Sequence, residues 1–482
     1  MLDGGAIRVS PRATASLSIL AGAPPPPPAF LITALDPGDA RLRDYHRLRH
    51  TEFVERQGLF ARTDRDGIDA DPRTVVLVAV APDGAVLGGV RLAPYRGDGL
   101  PDTDIGWWAG SRLVVASGHE VAGVGTALVR AACAHAERLG VLRFEATVQD
   151  RYARLFRGIG WTDHGPAPVL AGRPHRLMRW PLDPVQRVVE ATKAVLASAL
   201  APFAEQRDGL GPSGFRGDDG VPIPGTGVVA ACDAILPSMV ERDPEWAGWC
   251  SVLVNLNDLT AMGALPVGLL DAVGAPTAAH LHRVIRGIAD AARAWDVPVL
   301  GGHTQLGVPS ALSVTAVGTA REPIRAGAGL VGDTVTVIAD LGGGWRPGYH
   351  ERQWDSTGHR GADELRRASG LLADLRPAAA KDVSMAGLVG TLGMLAEASG
   401  TGAELDIATV PRPAGASMGA WLTCFPGYAM LAADRGPVRG VPAPLAAAPC
   451  GRLTAAPGVR LRWPDGATTV AVAAAVTGLG AA

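Results

Sequence analysis

Asn257-Asp258-Leu259-Thr260-Ala261-Met262-Gly263-Ala264-Leu265-Pro266 places an acidic residue one turn ahead of a small-residue turn. A carboxylate so placed can hold Mg²⁺ against a nucleotide phosphate. Two more stations follow at long spacing: Gly301-Gly302-His303-Thr304 after the apolar run 297–300, and Lys381-Asp382-Val383-Ser384-Met385-Ala386-Gly387. Upstream lie a glycine-rich run with Gly214, Gly217, Asp218 and Asp219, and then Asp233 after the apolar strand 227–231. Phosphoryl transfer asks mainly for carboxylates on a divalent cation and for donors around the phosphates, and separate segments can supply them.

Over roughly residues 210 to 475 the order of these segments resembles the AIR synthetase superfamily of ATP-using enzymes, which includes thiamine-monophosphate kinase and selenophosphate synthetase. The resemblance implies Mg²⁺ on Asp218, Asp219, Asp233, Asp258 and Asp382, with Gly214, Gly217, Asn257 and Gly302 around the nucleotide. Lys381 reads as a phosphate contact or as a solvated residue at a helix start, and His303 as a phosphate or substrate ligand or a core histidine. His303 departs from the kinase pattern, which has an acid there, towards selenophosphate synthetase; yet residues 207–219 hold neither Cys nor Lys, so selenophosphate synthesis is not expected. Members commonly dimerise through the sheet of the first lobe, which implies a homodimer.

A second signature precedes this one. The strand-like run 112–116 is followed by Glu120, Val121, Ala122, Gly123, Val124, Gly125 and Thr126, then by a helix over 127–139. A diphosphate needs converging N–H donors; glycines let the backbone approach, and the following helix adds its positive end. With Arg47, Arg49, Phe53 and Glu55 upstream and Phe156, Gly160 and Trp161 downstream, the stretch resembles the GNAT acetyltransferase superfamily. The resemblance implies acetyl-CoA held along Val114, Val115 and residues 122–126. Two departures stand out: Phe156 replaces the tyrosine that in many members protonates the departing thiolate, and Glu120 stands where Arg or Gln usually begins the loop. Tyr152, one turn earlier, can substitute as the acid, and Glu145 can act as a base through water. His119, His164 and His175 read as polar surface residues.

The rest of the sequence bounds these readings. At 482 residues the chain exceeds one core, and about 150 residues per domain suggests about three units. Net charge is −2 with both signs interspersed, which gives no nucleic-acid or membrane footprint and leaves small molecules as the expected partners. Five scattered cysteines read as thiols of a reducing compartment, and with no basic-then-apolar leader and no long apolar run the expected location is cytoplasmic. The base count rests almost wholly on arginine, the only lysines being Lys193 and Lys381.

The expected fold class is α/β and α+β: a GNAT mixed sheet with flanking helices, then a two-lobed AIR synthetase-like module. The expected layout is a disordered proline-rich arm over 1–28, the GNAT-like domain over 29–181, a helical linker over 182–210, and lobes over 211–330 and 331–482. Within these, a buried strand is expected at 297–300, a lid or disordered loop at 342–361 and one connector helix at 185–200. The expected function is a bifunctional transferase, using acetyl-CoA for N-acylation and Mg-ATP for phosphorylating or activating a substrate oxygen. The alternative is an ATP-dependent enzyme whose GNAT half only senses acyl-CoA.

Overall fold

The computed structural model describes residues 30–97, 103–117, 122–350 and 352–482. The expected arm over 1–28, together with His119, Glu120 and Val121, lies outside the described residues. The fold class is mixed α/β, and the chain divides into two units. The first holds the described residues up to Pro94, Trp108–Arg138 and Phe144–Pro181; the second holds Tyr95–Trp107, Leu139–Arg143 and Leu182–Ala482.

In the first unit, Val75–Val80 folds back antiparallel onto Val86–Pro94 around Gly84, whose φ of 90° suits a residue without Cβ. The sheet runs Leu31–Ala34, Val75–Val80, Val86–Pro94, Trp107–Val115, Arg143–Gln149, Arg173–Trp180, Thr162–Leu170. The register shifts between Gly89 and Arg91, opposite Arg112, which takes φ 54°; such a bulge bends its strand and re-aims side chains. Helix Val124–Arg138 buries Val124, Leu128, Val129, Ala132, Cys133 and Ala136, the spacing of one helical face. Segment 64–69 is tied to the sheet by ion pairs: Arg49 to Asp64 at 2.5 Å and Asp69 at 2.6 Å, Arg91 to Asp66 at 2.6 Å, Arg112 to Asp66 at 3.0 Å. Arg49 and Arg91 are fully buried, so their charges persist inside only because carboxylates meet them.

The second unit carries two sheets. The first runs Val299–Leu306, Leu265–Ala275, Ala311–Thr319, Val228–Ala234, Val221–Pro222. Behind it, helix Pro244–Ala261 packs against helix Ala278–Trp295, whose Thr277 side chain caps it by accepting from the His280 N–H. The second sheet runs Ala379–Asp382, Ala429–Asp434, Thr334–Ala339, Ala446–Thr454, Gly402–Asp406, Val459–Arg462, Thr468–Val472. Helix Gly387–Ala398 covers it and is apolar nearly all round. No helix among the described residues is long and apolar enough to cross a membrane.

Three local expectations change. The strand expected buried at 297–300 runs instead over Val299–Leu306, takes in Gly301, Gly302 and His303, and is exposed along its whole length. It is an edge strand, parallel to Leu265–Ala275, and among the described residues no strand pairs with its outer side. Residues 342–361 are not a structureless loop among those described: Gly344–Trp345 pairs with Trp354–Asp355, Trp354 Nε1 donates to Gly342 O at 2.6 Å, and Trp246 Nε1 donates to Gln353 at 2.9 Å. Buried tryptophans, invisible to a polarity reading, fasten it. The connector is two helices, Pro184–Thr192 and Leu196–Ala204, rather than one.

Candidate functional site

Helix Pro244–Ala261 is buried on all sides, yet its last two turns carry Asn255, Asn257, Asp258 and Thr260. Polar groups persist in such a place only with partners. Asn257 Nδ2 donates to Gly427 O at 2.8 Å, and Thr260 Oγ1 to Leu256 O at 2.7 Å and Ser369 O at 3.0 Å. Asp258 has other company. Its carboxylate converges with those of Asp219 and Asp382 so that one oxygen from each lies within 4.8 Å of the others. Asp219 comes from the glycine-rich run, Asp258 from the helix end and Asp382 from the end of strand Ala379–Asp382. Asp219 also accepts from the Asp382 N–H at 2.9 Å, which fixes the two segments together.

One cation faces this group. Lys381 Nζ, 1% exposed, stands 2.5 Å from Asp219 Oδ1 and 3.7 Å from Asp218 Oδ1. The ammonium makes no well-aligned hydrogen bond, so this is a charge contact first. Asp218 accepts instead from the backbone N–H of Ala326 at 2.8 Å and of Asp219 at 2.9 Å. Burial, partly offset by Lys381 and reinforced by Asp219, pushes the Asp218 carboxyl up to about 6. Burial pushes Asp258 and Asp382 well above the usual carboxylate range, and the neighbouring carboxylates add to the push. Asp233 is also raised by burial and by Asp219, with Lys193 opposing. The helix that ends near Asp258 adds negative potential.

Among the described residues Lys381 touches Asp218 and Asp219, Lys193 acts on Asp233, and Asp258 has carboxylates for neighbours, so the group is short of positive charge. A divalent cation with oxygen ligands suits that deficit, so the donor set fits Mg²⁺. Of the five residues expected to bind metal, Asp219, Asp258 and Asp382 converge; Asp218 sits behind Lys381, and Asp233 contributes through space.

The remaining expected residues of this module scatter. Gly214 and Gly217, with φ of 89° and 66°, shape the turn that delivers Asp218 and Asp219. A Cβ at Gly302 would fall 1.7 Å from Asp271 Oδ1, so that glycine makes room for its neighbour strand. His303 stands on the exposed edge strand beside Ala272 and takes no part in the carboxylate group. Asn257 is committed to Gly427.

In the first unit a cavity of about 500 Å³ opens along strands Trp107–Val115 and Arg143–Gln149. Val114, Val115, Gly125, Tyr152 and Phe156 line it. Gly123 holds φ 88° with open space where a Cβ would lie, and helix Val124–Arg138 begins beside it. Ala122, Val124 and Thr126 frame the same turn, whose amides are of the kind that cradle diphosphate. Phe156 is buried edge-on against Trp161, ring centroids 5.2 Å apart, whereas Tyr152 is half exposed at the cavity wall. Glu145 is absent from that wall, where Phe144, Ala146 and Val148 stand; it pairs with Arg179 at 2.6 Å.

Sequence reading missed two residues. His175, read as a surface residue, is buried in the cavity wall, because strand Arg173–Trp180 is an inner strand of the sheet. Lys193, unremarkable in sequence except for the rarity of lysine, acts on Asp233.

Three family models match the chain: acetyltransferase (GNAT) family over residues 40–161, AIR synthase related protein, N-terminal domain, over 217–320, and AIR synthase related protein, C-terminal domain, over 330–464. The uncharacterized protein sll0787 of Synechocystis sp. is 35% identical over 226 residues, 45% of this chain and 70% of that protein. The thiamine-monophosphate kinase of Synechococcus elongatus is 29% identical over 143 residues; the match spans 27% of this chain and 44% of the kinase. A solved structure, AaThiL complexed with AMPPCP and TMP, shares 20% identity over 56% of this chain and 93% of its own, with a TM-score of 0.44. The chain belongs to the AIR synthase-related proteins and carries a GNAT-family acetyltransferase domain ahead of its two AIR synthase-related domains.

Proposed function

We propose that the AIR synthase-related module binds Mg-ATP and phosphorylates or activates an oxygen of a small molecule, and that the GNAT domain transfers an acetyl group from acetyl-CoA to an amine. The observation that carries the first half is the convergence of Asp219, Asp258 and Asp382 beside the buried Lys381. Asp219, Asp258 and Asp382 would hold Mg²⁺ there, and it would supply positive charge to offset what develops as a phosphoryl group moves. Lys381 stands against Asp218 and Asp219, and its ammonium would offer a positive charge to a phosphate oxygen. The likeness to a thiamine-monophosphate kinase supports phosphoryl transfer as the reaction class. A homodimer is part of the reading: strand Val299–Leu306 leaves a row of backbone groups and the side chains of Val299, Leu300 and Leu306 uncovered, and a second copy would cover them.

For the GNAT domain, the amides around Gly123 and the start of helix Val124–Arg138 suit the diphosphate of acetyl-CoA, and Tyr152 suits the acid that protonates the thiolate. Phe156, which carries no proton to give, favours a second reading in which this domain only senses acyl-CoA. CoA release from acetyl-CoA with a panel of primary amines separates the two. Tyr152→Phe is expected to lower the rate by roughly 10²-fold or more with acetyl-CoA binding unchanged in calorimetry. Binding without release from any amine supports the sensor.

A further inference from the structure

The cavity of the first unit is apolar along most of its wall, with Phe53, Phe60, Phe144 and Trp161 among its side chains, but one side is a connected polar strip. Gln149 Nε2 donates to Gln57 Oε1 at 2.8 Å, and Gln57 Nε2 donates to Glu52 Oε1 at 2.6 Å. Burial pushes the Glu52 carboxyl up, and the hydrogen bonds from Gln57 and from Arg56, the latter at 2.8 Å, bring it below the usual carboxylate range. The strip therefore ends in a Glu52 carboxylate whose charge Arg56 meets at 2.8 Å. At its other end Gln149 pairs in register with His175 on the neighbouring strand, so the two side chains rise from one face of the sheet.

His175 is 6% exposed and its Nδ1 lies 2.9 Å from the backbone carbonyl of Arg173. A carbonyl only accepts, so Nδ1 carries the proton and the neutral ring keeps its lone pair on Nε2. Among the described residues Nε2 has no hydrogen-bond partner. A buried imidazole with its tautomer fixed and its basic nitrogen unengaged, in a cavity wall, is equipped to take a proton.

We propose that His175 is the general base of acyl transfer in this domain and that the acceptor is a primary amine on an apolar body, its nitrogen at the polar strip of Gln57 and Gln149 and its body against the apolar wall. The assignment rests on the acetyltransferase reading above. The amine enters as an ammonium and His175 Nε2 takes one of its protons. The nitrogen lone pair then forms the C–N bond at the thioester carbonyl carbon, and the C–S bond breaks with its electron pair leaving on sulfur. Tyr152 gives its proton to that thiolate and is reprotonated by the second N–H proton, and the imidazolium returns its proton to water. The other ionisable groups of the wall are Glu52, Arg112 and Tyr152; Arg173 and Arg176 flank His175 on its own strand. Of these, only His175 offers a ring nitrogen with an unshared lone pair.

The test uses the full chain, acetyl-CoA, and a panel with tyramine, benzylamine and hexylamine, read as CoA release against pH. His175→Asn keeps a donor for the Arg173 carbonyl and removes Nε2. Its kcat/KM is expected to fall by roughly 10²-fold or more, with the rising limb gone from the pH profile and acetyl-CoA affinity unchanged. In His175→Ala, added imidazole is expected to restore part of the rate. A variant that keeps the rate and the limb overturns the proposal, as does a loss of rate with the limb unchanged and no rescue. Acetyl-CoA bound by the parent with no CoA released from any amine overturns it too. Failure of the parent to bind acetyl-CoA defeats the acetyltransferase reading itself, and the assignment of His175 with it.

Discussion

Asp258→Asn is expected to abolish most Mg²⁺-dependent ADP release from ATP, by roughly 10²- to 10³-fold, while raising the melting temperature of the metal-free protein. Both effects come from one feature. Asp258 is buried among Asp382, Asp233 and Asp219, and burial together with these carboxylates holds its pKa far above the unfolded value. A carboxyl with a raised folded pKa is stabilising only while protonated, and that contribution is lost as pH rises through its folded pKa. Above the unfolded carboxylate range, keeping Asp258 in this place therefore costs the metal-free fold, as a buried charge or as a proton taken up, and an amide of the same shape relieves it. The same amide removes a charged oxygen ligand, and the loss of one preorganised electrostatic contact costs about 10²- to 10³-fold in rate. Thermal denaturation with and without Mg²⁺, beside an ADP-release assay, reads both. A variant with unchanged turnover, or one less stable than the parent in metal-free buffer, contradicts the assignment.

Lys381→Met is expected to destabilise the metal-free protein by about 3–5 kcal/mol, because it leaves two buried carboxylates without their cation. Lys381 is 1% exposed and its partners Asp218 and Asp219 are 1% and 5% exposed, so solvent does not screen the pair. Mg²⁺ should return part of the lost stability by supplying positive charge to the same carboxylates. Urea denaturation at fixed pH, with and without Mg²⁺, measures this. A variant within about 1 kcal/mol of the parent would mean that Lys381 is no more than a surface-type pair, for which that range is usual.

Both family modules were legible in the sequence because each is announced by a short segment that needs particular residue types. The residues Asp258 and Gly123 are such cases: one a carboxylate at the end of a buried helix, the other a left-handed turn before a helix. The edge position of Val299–Leu306 was not legible, since an apolar run such as 297–300 reads the same whether its outer side is covered or not. Residues 342–361 misled for the opposite reason: their polar composition suggests a loop, whereas Trp345, Trp354 and Tyr349 pin the segment by long-range contacts. His175 was hidden because alternation along 173–180 does not say which strands flank it, and those strands decide that it lines a cavity. Lys381 was placed near the acids by its neighbour Asp382, but its contact with Asp219, 162 positions away along the chain, belongs to the fold alone.

The account's central claim is that carboxylates gathered around Asp258 hold a divalent cation for ATP. Calorimetric titration of the full chain with ATP, once in Mg²⁺ and once in EDTA, tests it most directly. Saturable binding in Mg²⁺ and none in EDTA is the predicted result; equal affinity in both would contradict the claim.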